Sequence, residues 1–312
     1  MSIAIEITDL HRRYGSTTAL DGVSFAVEEN TVCGLLGRNG AGKTTLMAHI
    51  AGQERPSGGA VRVFGHDPVD DATVLSQTSF IRDDQRYPDD FRLSHLLSIA
   101  PAFHRRWDAG LAASLVSDFR LPTKLAIKKM SRGQASAVAI VVGLASRAPL
   151  TIFDEPYLGL DATARQVFYD RLLEDYAEHP RTILLSTHLI DEMEPLLERV
   201  VVLDRGRVRL DCDVDEARAS AFAVAGTTRA VQAFVADRRT LSTHVIGGLM
   251  TATVDGPADD RVREDADHAG VELSSVSLQQ VVAAVGSDSD SHAGAGAALT
   301  AAVAADPEGA RS

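Results

Sequence analysis

The residues with the clearest chemical potential form one glycine-rich segment, Gly37-Arg38-Asn39-Gly40-Ala41-Gly42-Lys43-Thr44-Thr45. Its spacing fits the phosphate-loop pattern, in which a glycine is followed, after four intervening residues, by Gly-Lys and then Ser or Thr. Glycines allow successive backbone N–H groups to turn toward a polyphosphate, and a helix that begins at the loop adds the positive end of its dipole. Lys43 would contact the outer phosphates, and the Thr44 hydroxyl would bind Mg²⁺.

Two further groups of polar residues stand at the ends of apolar runs. The run over 150–153 is followed by Asp154 and Glu155, and the run over 182–186 is followed by Thr187 and His188. Asp154 could hold Mg²⁺ on a nucleotide, directly or through water, and Glu155 could orient or deprotonate the attacking water. His188 could bind the γ-phosphate. Taken alone, each of these residues is more often structural, and the phosphate loop upstream is what favours the catalytic interpretation.

A third segment, Ser131-Arg132-Gly133-Gln134, opens a helix that continues through apolar positions such as Val138 and Val142. Ser131 would serve well as the N-cap of this helix. The helix N-terminus would also attract an anion. By itself, however, this pattern indicates a capped helix and nothing more.

A framework of strands and helices is needed to bring these segments together. A buried strand over 32–36 and a helix over 46–51 flank the phosphate loop, and the runs over 150–153 and 182–186 are typical of buried parallel strands. In α/β sheets of this kind, ligands bind at the carboxyl ends of the strands. Upstream, the isoleucines of residues 3–7 alternate with small or polar residues, which predicts an exposed edge strand in an antiparallel region.

The composition narrows the class of protein. The chain has 312 residues, 45% of them hydrophobic, and a formal net charge of −12. That charge argues against nucleic-acid binding through a broad basic surface, so no nucleic-acid partner is expected. Its two cysteines form no disulfide framework, which favours a reduced, cytoplasmic setting. The sequence shows neither a signal peptide nor an apolar run long enough to span a bilayer, so we expect a separate chain to supply any membrane span.

The predicted organisation is an α/β nucleotide-binding domain followed by a smaller domain. Residues 1–219 form the first domain, which has antiparallel strands near its start and a helical segment at about 88–147 that interrupts a mostly parallel core sheet. Residues 220–285 are predicted to form a small α+β domain. Residues 286–312 are rich in Ser, Asp, Gly and Ala, a composition typical of a disordered tail.

Residues 3–218 resemble the ATP-binding-cassette (ABC) ATPases, the nucleotide-binding subunits of ABC transporters, because several of their motifs occur in order. The matching segments are Gly37–Thr45 for Walker A, Met130–Gln134 for the signature, Leu150–Glu155 for Walker B with its glutamate, Gly159–Asp161 for the D-loop, and Ser186–His188 for the H-loop. Tyr14 stands where the family places an aromatic residue against adenine, although a partly buried aromatic at a strand end is a serious alternative.

The resemblance implies a P-loop ABC cassette that uses ATP and Mg²⁺. Two cassettes, identical or different, would pair head to tail, with each ATP between one phosphate loop and the other subunit's Ser131 region, and with Asp161 at the dimer seam. An integral-membrane permease would be a separate chain, contacted by the segment at about 83–103, which is equally compatible with an ordinary surface. The single cassette with a small C-terminal domain favours the exporter-type branch, peripheral on the cytoplasmic face of the membrane.

Two positions depart from the family pattern. Arg132 replaces the first glycine of the signature, and Asp83 stands where a Gln that contacts Mg²⁺ is expected, with Gln85 two residues further on. Both departures are compatible with slow hydrolysis, and they keep open a nucleotide-dependent regulator with little turnover. A soluble cassette ATPase that acts on ribosomes or DNA is another alternative. The single cassette, the acidic balance and the absence of a Cys cluster count against it.

Overall fold

The computed structural model describes residues 2–82 and 85–285. The chain divides into two compact units, Met1–Val214 and the part from Asp215 onward. Asp83 and the predicted tail at 286–312 lie outside the described residues. Within the described residues, no helix combines the length and the apolar character needed to cross a membrane.

The first unit contains nine strands and seven α-helices within its described part. The strands are β1 (Ile3–Tyr14), β2 (Thr17–Glu28), β3 (Val32–Leu36), β4 (Gly58–Val63), β5 (Thr78–Ile81), β6 (Leu150–Asp154), β7 (Thr182–Thr187), β8 (Arg199–Asp204) and β9 (Arg207–Asp213). The helices are α1 (Lys43–Ile50), α2 (Ala72–Gln77), α3 (Leu93–Phe103), α4 (Ala109–Asp118), α5 (Arg132–Ser146), α6 (Ala162–Glu178) and α7 (Ile190–Met193).

The central sheet has six strands in the order β5-β6-β7-β3-β8-β9, and all neighbouring pairs are parallel except β8 and β9. Every residue of β3, β6 and β7 is buried, as expected for strands covered on both faces. The register places Leu36 beside Thr187 and Asp154 beside Ser186. The sheet therefore aligns the ends of β3, β6 and β7, where the phosphate loop, Asp154 and His188 lie.

A smaller antiparallel sheet has the order β2-β1-β4. The sequence-based prediction of an exposed edge strand at residues 3–7 is wrong, because β1 is the central strand and Ile5 and Ile7 are buried. The physical reason is that β4, about 50 residues further along the chain, pairs with the side of β1 that β2 leaves open.

Helices α3, α4 and α5, with a 3₁₀ turn at Ile127–Lys129, form the helical segment between β5 and β6. Helix α5 is the longest of the three and the most buried, with Val138, Ile140, Val141 and Leu144 all inaccessible to solvent. The chain reverses direction between α5 and β6. The N-terminal part of α5 therefore lies beside the residues that follow β6, where Ser136 contacts Leu158.

The second unit is a four-stranded antiparallel sheet with helices. Its elements are α8 (Val214–Ala219), which begins at the boundary, β10 (Ala221–Thr227), α9 (Thr228–Val235), β11 (Thr240–Ile246), β12 (Leu249–Asp255), α10 (Asp260–Ala269), β13 (Glu272–Ser275) and a last helix over 278–285. The strand order β11-β12-β10-β13 with the chain order βαββαβ is the split-βαβ, ferredoxin-like arrangement. Phe222, Val224, Val231 and Phe234 contribute to its core.

Candidate active site at the strand ends

The phosphate loop lies between β3 and α1 and is shaped by glycines. Gly37, Gly40 and Gly42 have φ values of 145°, 81° and 106°, which L side chains rarely adopt. A Cβ at Gly37 would lie 2.2 Å from the carbonyl oxygen of Leu203, so the backbone approaches closely there. Gly42 is the N-cap of α1 and supplies no side-chain hydrogen bond to it. The first N–H groups of α1 are therefore available to an anion.

Lys43 extends back over this loop and is buried, with only 6% of its surface exposed. Its Nζ donates to the carbonyl oxygen of Gly37 at 2.7 Å and to that of Arg38 at 3.3 Å, and it lies 3.8 Å from Glu155 Oε1. Burial lowers the pKa of Lys43, while the Glu155 and Asp154 carboxylates act in the opposite direction. Because burial disfavours the charged form of Lys43, the negative charge of a bound polyphosphate would stabilise its ammonium group.

Asp154, the last residue of β6, contacts two hydroxyls from other elements. Thr44 Oγ1, in the first turn of α1, donates to Asp154 Oδ2 at 2.7 Å, and Ser186 Oγ, near the end of β7, donates to Asp154 Oδ1 at 2.7 Å. Oxygen atoms of hydroxyl and carboxylate groups are the ligands that Mg²⁺ prefers, usually together with phosphate oxygens of a substrate. No cluster of three or more His, Cys, Asp or Glu side chains suited to a metal occurs among the described residues. Thr44 and Asp154 therefore fit a Mg²⁺ ion completed by a polyphosphate.

Glu155 adopts a left-handed backbone conformation with φ of 46°, which is uncommon for a residue other than glycine. Its N–H donates to Ser186 Oγ at 2.9 Å, and its Oε2 lies 2.9 Å from Nδ1 of His188. The Glu155 side chain is 15% exposed and that of His188 is 47% exposed. The carboxylate thus lies between Lys43 and His188, where it could accept a proton from a water molecule.

We call Lys43, Thr44, Asp154, Glu155 and His188 the strand-end site. Sequence reasoning selected all of these residues, and the structure brings them within hydrogen-bonding or ion-pair distance of one another. Sequence reasoning included Ser186 in the H-loop match but did not select it as a site residue, although Ser186 joins Asp154 to the backbone of Glu155. A serine that directly follows the apolar residues Ile183–Leu185 is the available signal.

A second group of predicted residues lies where α5 begins. Ser131 and Gln134 form a reciprocal capping box: Ser131 Oγ accepts from the Gln134 N–H at 3.2 Å, and Gln134 Oε1 accepts from the Ser131 N–H at 3.1 Å. A Cβ at Gly133 would lie 2.5 Å from the carbonyl oxygen of Gly159, so only glycine fits there. The side chain of Arg132 lies against Gly159, because a Cβ on that glycine would meet Arg132 Cγ at 2.9 Å.

We call Ser131–Gln134 together with Gly159–Asp161 the signature surface. Asp161 is the N-cap of α6, and its Oδ1 accepts from the N–H of Ala164 at 2.8 Å. Ser136, one turn into α5, donates to the carbonyl oxygen of Leu158 at 2.6 Å. This surface is thus built from two helix starts that contact each other, with capping side chains that already have partners.

The remaining predicted residues lie outside both groups. Tyr14 ends β1, is 43% exposed, donates a hydrogen bond to Glu54, and has the Arg12 guanidinium 4.5 Å from its ring centroid. One face of the ring is therefore occupied by a cation. Gln85 is exposed just beyond β5, the neighbour of β6, and its N–H donates to the carbonyl oxygen of Arg82 at 3.3 Å.

The fold and the strand-end site define a P-loop nucleotide-binding protein, and comparison with known proteins makes this more specific. A profile of the ABC transporter family matches residues 20–158. The aliphatic sulfonates import ATP-binding protein of Nocardia farcinica is 32% identical over 218 residues, which cover 69% of this chain and 84% of that relative. The chain belongs to the ABC transporter ATP-binding proteins, a family of ATP-hydrolysing cassettes. This finding confirms the family and the fold class predicted from the motifs.

Other relatives carry export or resistance names. The Nod factor export ATP-binding protein I of Rhizobium meliloti is 32% identical over 213 residues, and the chain covers 63% of its length. The daunorubicin/doxorubicin resistance ATP-binding protein of Streptomyces peucetius is 30% identical over 223 residues, and the chain covers 67% of its length.

Solved structures show the same fold. A structure described as the ATP-binding subunit of an ABC transporter is 31% identical, has a TM-score of 0.63, and covers 69% of this chain and 92% of its own. A bacterial ABC transporter cassette solved as a dimer has a TM-score of 0.60 over 67% of this chain and 98% of its own, at 20% identity. The second likeness concerns the fold alone.

Proposed function

We propose that this chain binds and hydrolyses ATP in order to drive a separate membrane permease, and that the transporter exports its substrate. Residues 1–219 would be the ATP-binding domain and 220–285 an accessory domain. The observation that carries the proposal is the convergence of Lys43, Thr44, Asp154, Glu155 and His188 at one edge of the central sheet. Export is favoured by the relatives named for Nod factor export and drug resistance, whereas the sulfonate relative is named for import.

In this proposal the phosphate loop holds the β- and γ-phosphates through its backbone N–H groups and through Lys43. Thr44 and Asp154 would hold Mg²⁺, which would neutralise charge on the phosphates when bound. Gln85 is the described candidate for a further contact with the ion.

Glu155 accepts a proton from the attacking water, and His188 contacts the γ-phosphate. Lys43 and His188 both contact Glu155, so a γ-phosphate held by these two side chains would lie close to the carboxylate that accepts the proton. The adenine would stack on the face of Tyr14 opposite Arg12.

The signature surface would act on the ATP of a second cassette. The N-terminus of α5 presents backbone N–H groups and the positive end of a 15-residue helix, which suits a γ-phosphate supplied in trans. Arg132 would add a cation at that place, and Asp161 would lie at the seam. ATP would then form part of the dimer interface, and hydrolysis would change the balance between closed and open states.

The permease would dock on the helical segment and thereby hold the chain at the inner face of the membrane. Ile99 and Phe103 lie one turn apart on α3 and are 39% and 68% exposed. Large apolar side chains that remain exposed on one face of a helix suit a protein partner.

The test is a pull-down of a tagged Glu155→Gln chain from detergent-solubilised native membranes with Mg-ATP, followed by mass spectrometry. Glu178→Gln, on the exposed face of α6, is the matched control. The proposal expects a polytopic membrane protein to be enriched with Glu155→Gln, because blocked hydrolysis holds the ATP-bound state. Recovery of ribosomal or DNA-repair proteins without a membrane protein would contradict it. A second, different cassette in the eluate would identify a heterodimer.

A further inference from the structure

Tyr157, which follows Asp154 by three positions, is a buried polar residue that the mechanism above does not use. It is 2% exposed. Its hydroxyl accepts a hydrogen bond from the backbone N–H of His188 at 2.9 Å and donates one to Thr187 Oγ1 at 2.8 Å. Its ring packs edge to face against the His188 imidazole, with 5.5 Å between the ring centroids and 62° between the planes.

These contacts fix the turn that presents His188. Strand β7 ends at Thr187, so the next backbone N–H groups lie beyond the hydrogen bonds of the sheet. The N–H of His188 donates to the Tyr157 hydroxyl, and the N–H of Leu189 donates to Thr187 Oγ1 at 2.9 Å. The hydroxyls of Tyr157 and Thr187 therefore accept the hydrogen bonds of these two N–H groups in place of a neighbouring strand. Because a buried N–H without a partner is costly, the phenol favours this one conformation of the turn.

The Tyr157 hydroxyl also contacts the imidazole ring of His188. Nδ1 of His188 lies 2.9 Å from Glu155 Oε2 and 3.3 Å from the Tyr157 hydroxyl oxygen. With Nδ1 facing these two groups, Nε2 is the ring nitrogen that remains for a phosphate oxygen. Burial raises the pKa of Tyr157 to about 12, so the phenol keeps its proton at neutral pH and acts through hydrogen bonds.

We propose that Tyr157 is a positioning residue for ATP hydrolysis, which holds the backbone and the imidazole of His188 in the orientation that meets the γ-phosphate. This inference rests on the role proposed above for His188. Tyr157 acts through His188 and does not contact the nucleotide. Replacing it with phenylalanine keeps the ring packing and removes the hydroxyl alone.

The first test observes His188 directly and needs no hydrolysis. The full-length chain is labelled with ¹⁵N-histidine, and its imidazole resonances are compared for wild type, Tyr157→Phe and the matched control Tyr169→Phe. Tyr169 is a similarly buried tyrosine whose hydroxyl donates to Glu192 at 3.1 Å. The inference expects the His188 resonances to move only in Tyr157→Phe, with those of buried His49 unchanged. Unmoved His188 resonances would overturn it, even if ATPase activity were absent from the wild type.

The second test separates positioning from general stability by kinetics. In Tyr157→Phe, kcat should fall about tenfold while KM for ATP stays within about twofold, because the hydroxyl orients a group that acts on the γ-phosphate. The same substitution in a His188→Ala background should cause no further loss. An equal proportional loss in both backgrounds, or an unchanged kcat, would overturn the inference.

Thr187→Val supplies an independent variant should Tyr157→Phe fail to fold, since it removes the other linked hydroxyl. It should also move the His188 resonances and lower kcat. Wild-type behaviour in both measurements would count against the inference. A wild-type chain without ATPase activity, alongside moved His188 resonances, would instead contradict the proposed function alone.

Discussion

The strand-end site and the signature surface lie in the same unit but differ in where their polar groups find partners. In the strand-end site, side chains at the start of α1 and at the ends of β6 and β7 contact one another across 32 to 112 residues along the chain. In the signature surface, Ser131, Gln134 and Asp161 bond to the backbone within three residues of themselves.

This difference indicates what each region can do alone. The strand-end site brings together a cation, two carboxylates and an imidazole beside the phosphate loop, so under the proposed function one chain would suffice to bind the polyphosphate. The signature surface offers helix N-termini whose capping groups are already used, so its contribution to ATP would come from backbone N–H groups turned toward a second chain.

Lys43→Ala should weaken ATP binding by about 100-fold or more, because the phosphates lose charge-assisted hydrogen bonds while Glu155 and Asp154 lose their compensating cation. Titration calorimetry with Mg-ATP measures this. Lys124→Ala, at an exposed position of the helical segment, is the control and should bind like the wild type. Equal affinity in Lys43→Ala would place ATP elsewhere.

Ser131→Ala should lower ATP turnover about tenfold, because loss of the N-cap loosens the first turn of α5, whose N–H groups would act on the partner's nucleotide. It should leave the affinity of the isolated chain for ATP within about twofold. Turnover and equilibrium binding are measured on the same preparation. Thr227→Ala removes a comparable N-cap from α9, where no nucleotide role is proposed. If both variants lose turnover equally, helix capping alone explains the effect.

Asp161→Ala should lower the free energy of unfolding by about 1 kcal/mol, since it removes the N-cap of α6. Denaturant titration measures the change, and Asp259→Ala, which uncaps α10, should cost a similar amount. The two variants should differ in ATP turnover, which only Asp161→Ala lowers. Unchanged turnover in Asp161→Ala would remove this residue from the dimer seam.

Asp108→Ala tests a cap outside both regions and should show a pH-dependent loss of about 1 kcal/mol. Asp108 Oδ1 accepts from the N–H of Leu111 at 2.7 Å, and this bond lowers the pKa of Asp108 below its ordinary value of 3.8. The unfolded chain therefore binds the proton more readily, so the stabilisation is present above the ordinary pKa and disappears as the pH falls through the folded pKa. Denaturant titrations between about pH 7 and pH 3 measure it, and a pH-independent difference would contradict this account.

Much of the first unit could be predicted because its candidate site residues stand at the ends of apolar strands. Parallel strands end at one edge of a sheet, so recognising the runs before Gly37, Asp154 and Thr187 was enough to gather the strand-end site. The contact between Tyr157 and His188 was not predictable in this way, because it joins residues 31 positions apart without any local pattern. After His188 the chain is α-helical only over Ile190–Met193, since Pro195 lacks an N–H and the chain continues as a 3₁₀ turn at Glu194–Leu196.

The second unit was harder to predict. Strand β11 lies at the edge of its sheet and is mostly polar and exposed, so it shows no clear alternation. Helix α10 is strongly polar, and only Val262, Ala266 and Ala269 mark the face that packs against the core. The prediction of an α+β domain over 220–285 depends on the apolar residues of β10, α9 and β12, which form the buried centre of the unit.

The most direct test of the central claim is the steady-state rate of ATP hydrolysis by purified wild type, Glu155→Gln and the control Glu178→Gln with Mg-ATP. If Glu155 serves as the base of the strand-end site, Glu155→Gln should reduce kcat by about 100-fold or more while still binding ATP, and Glu178→Gln should match the wild type. Hydrolysis by Glu155→Gln at the wild-type rate would show that the chemistry does not depend on the carboxylate between Lys43 and His188, and would contradict the account.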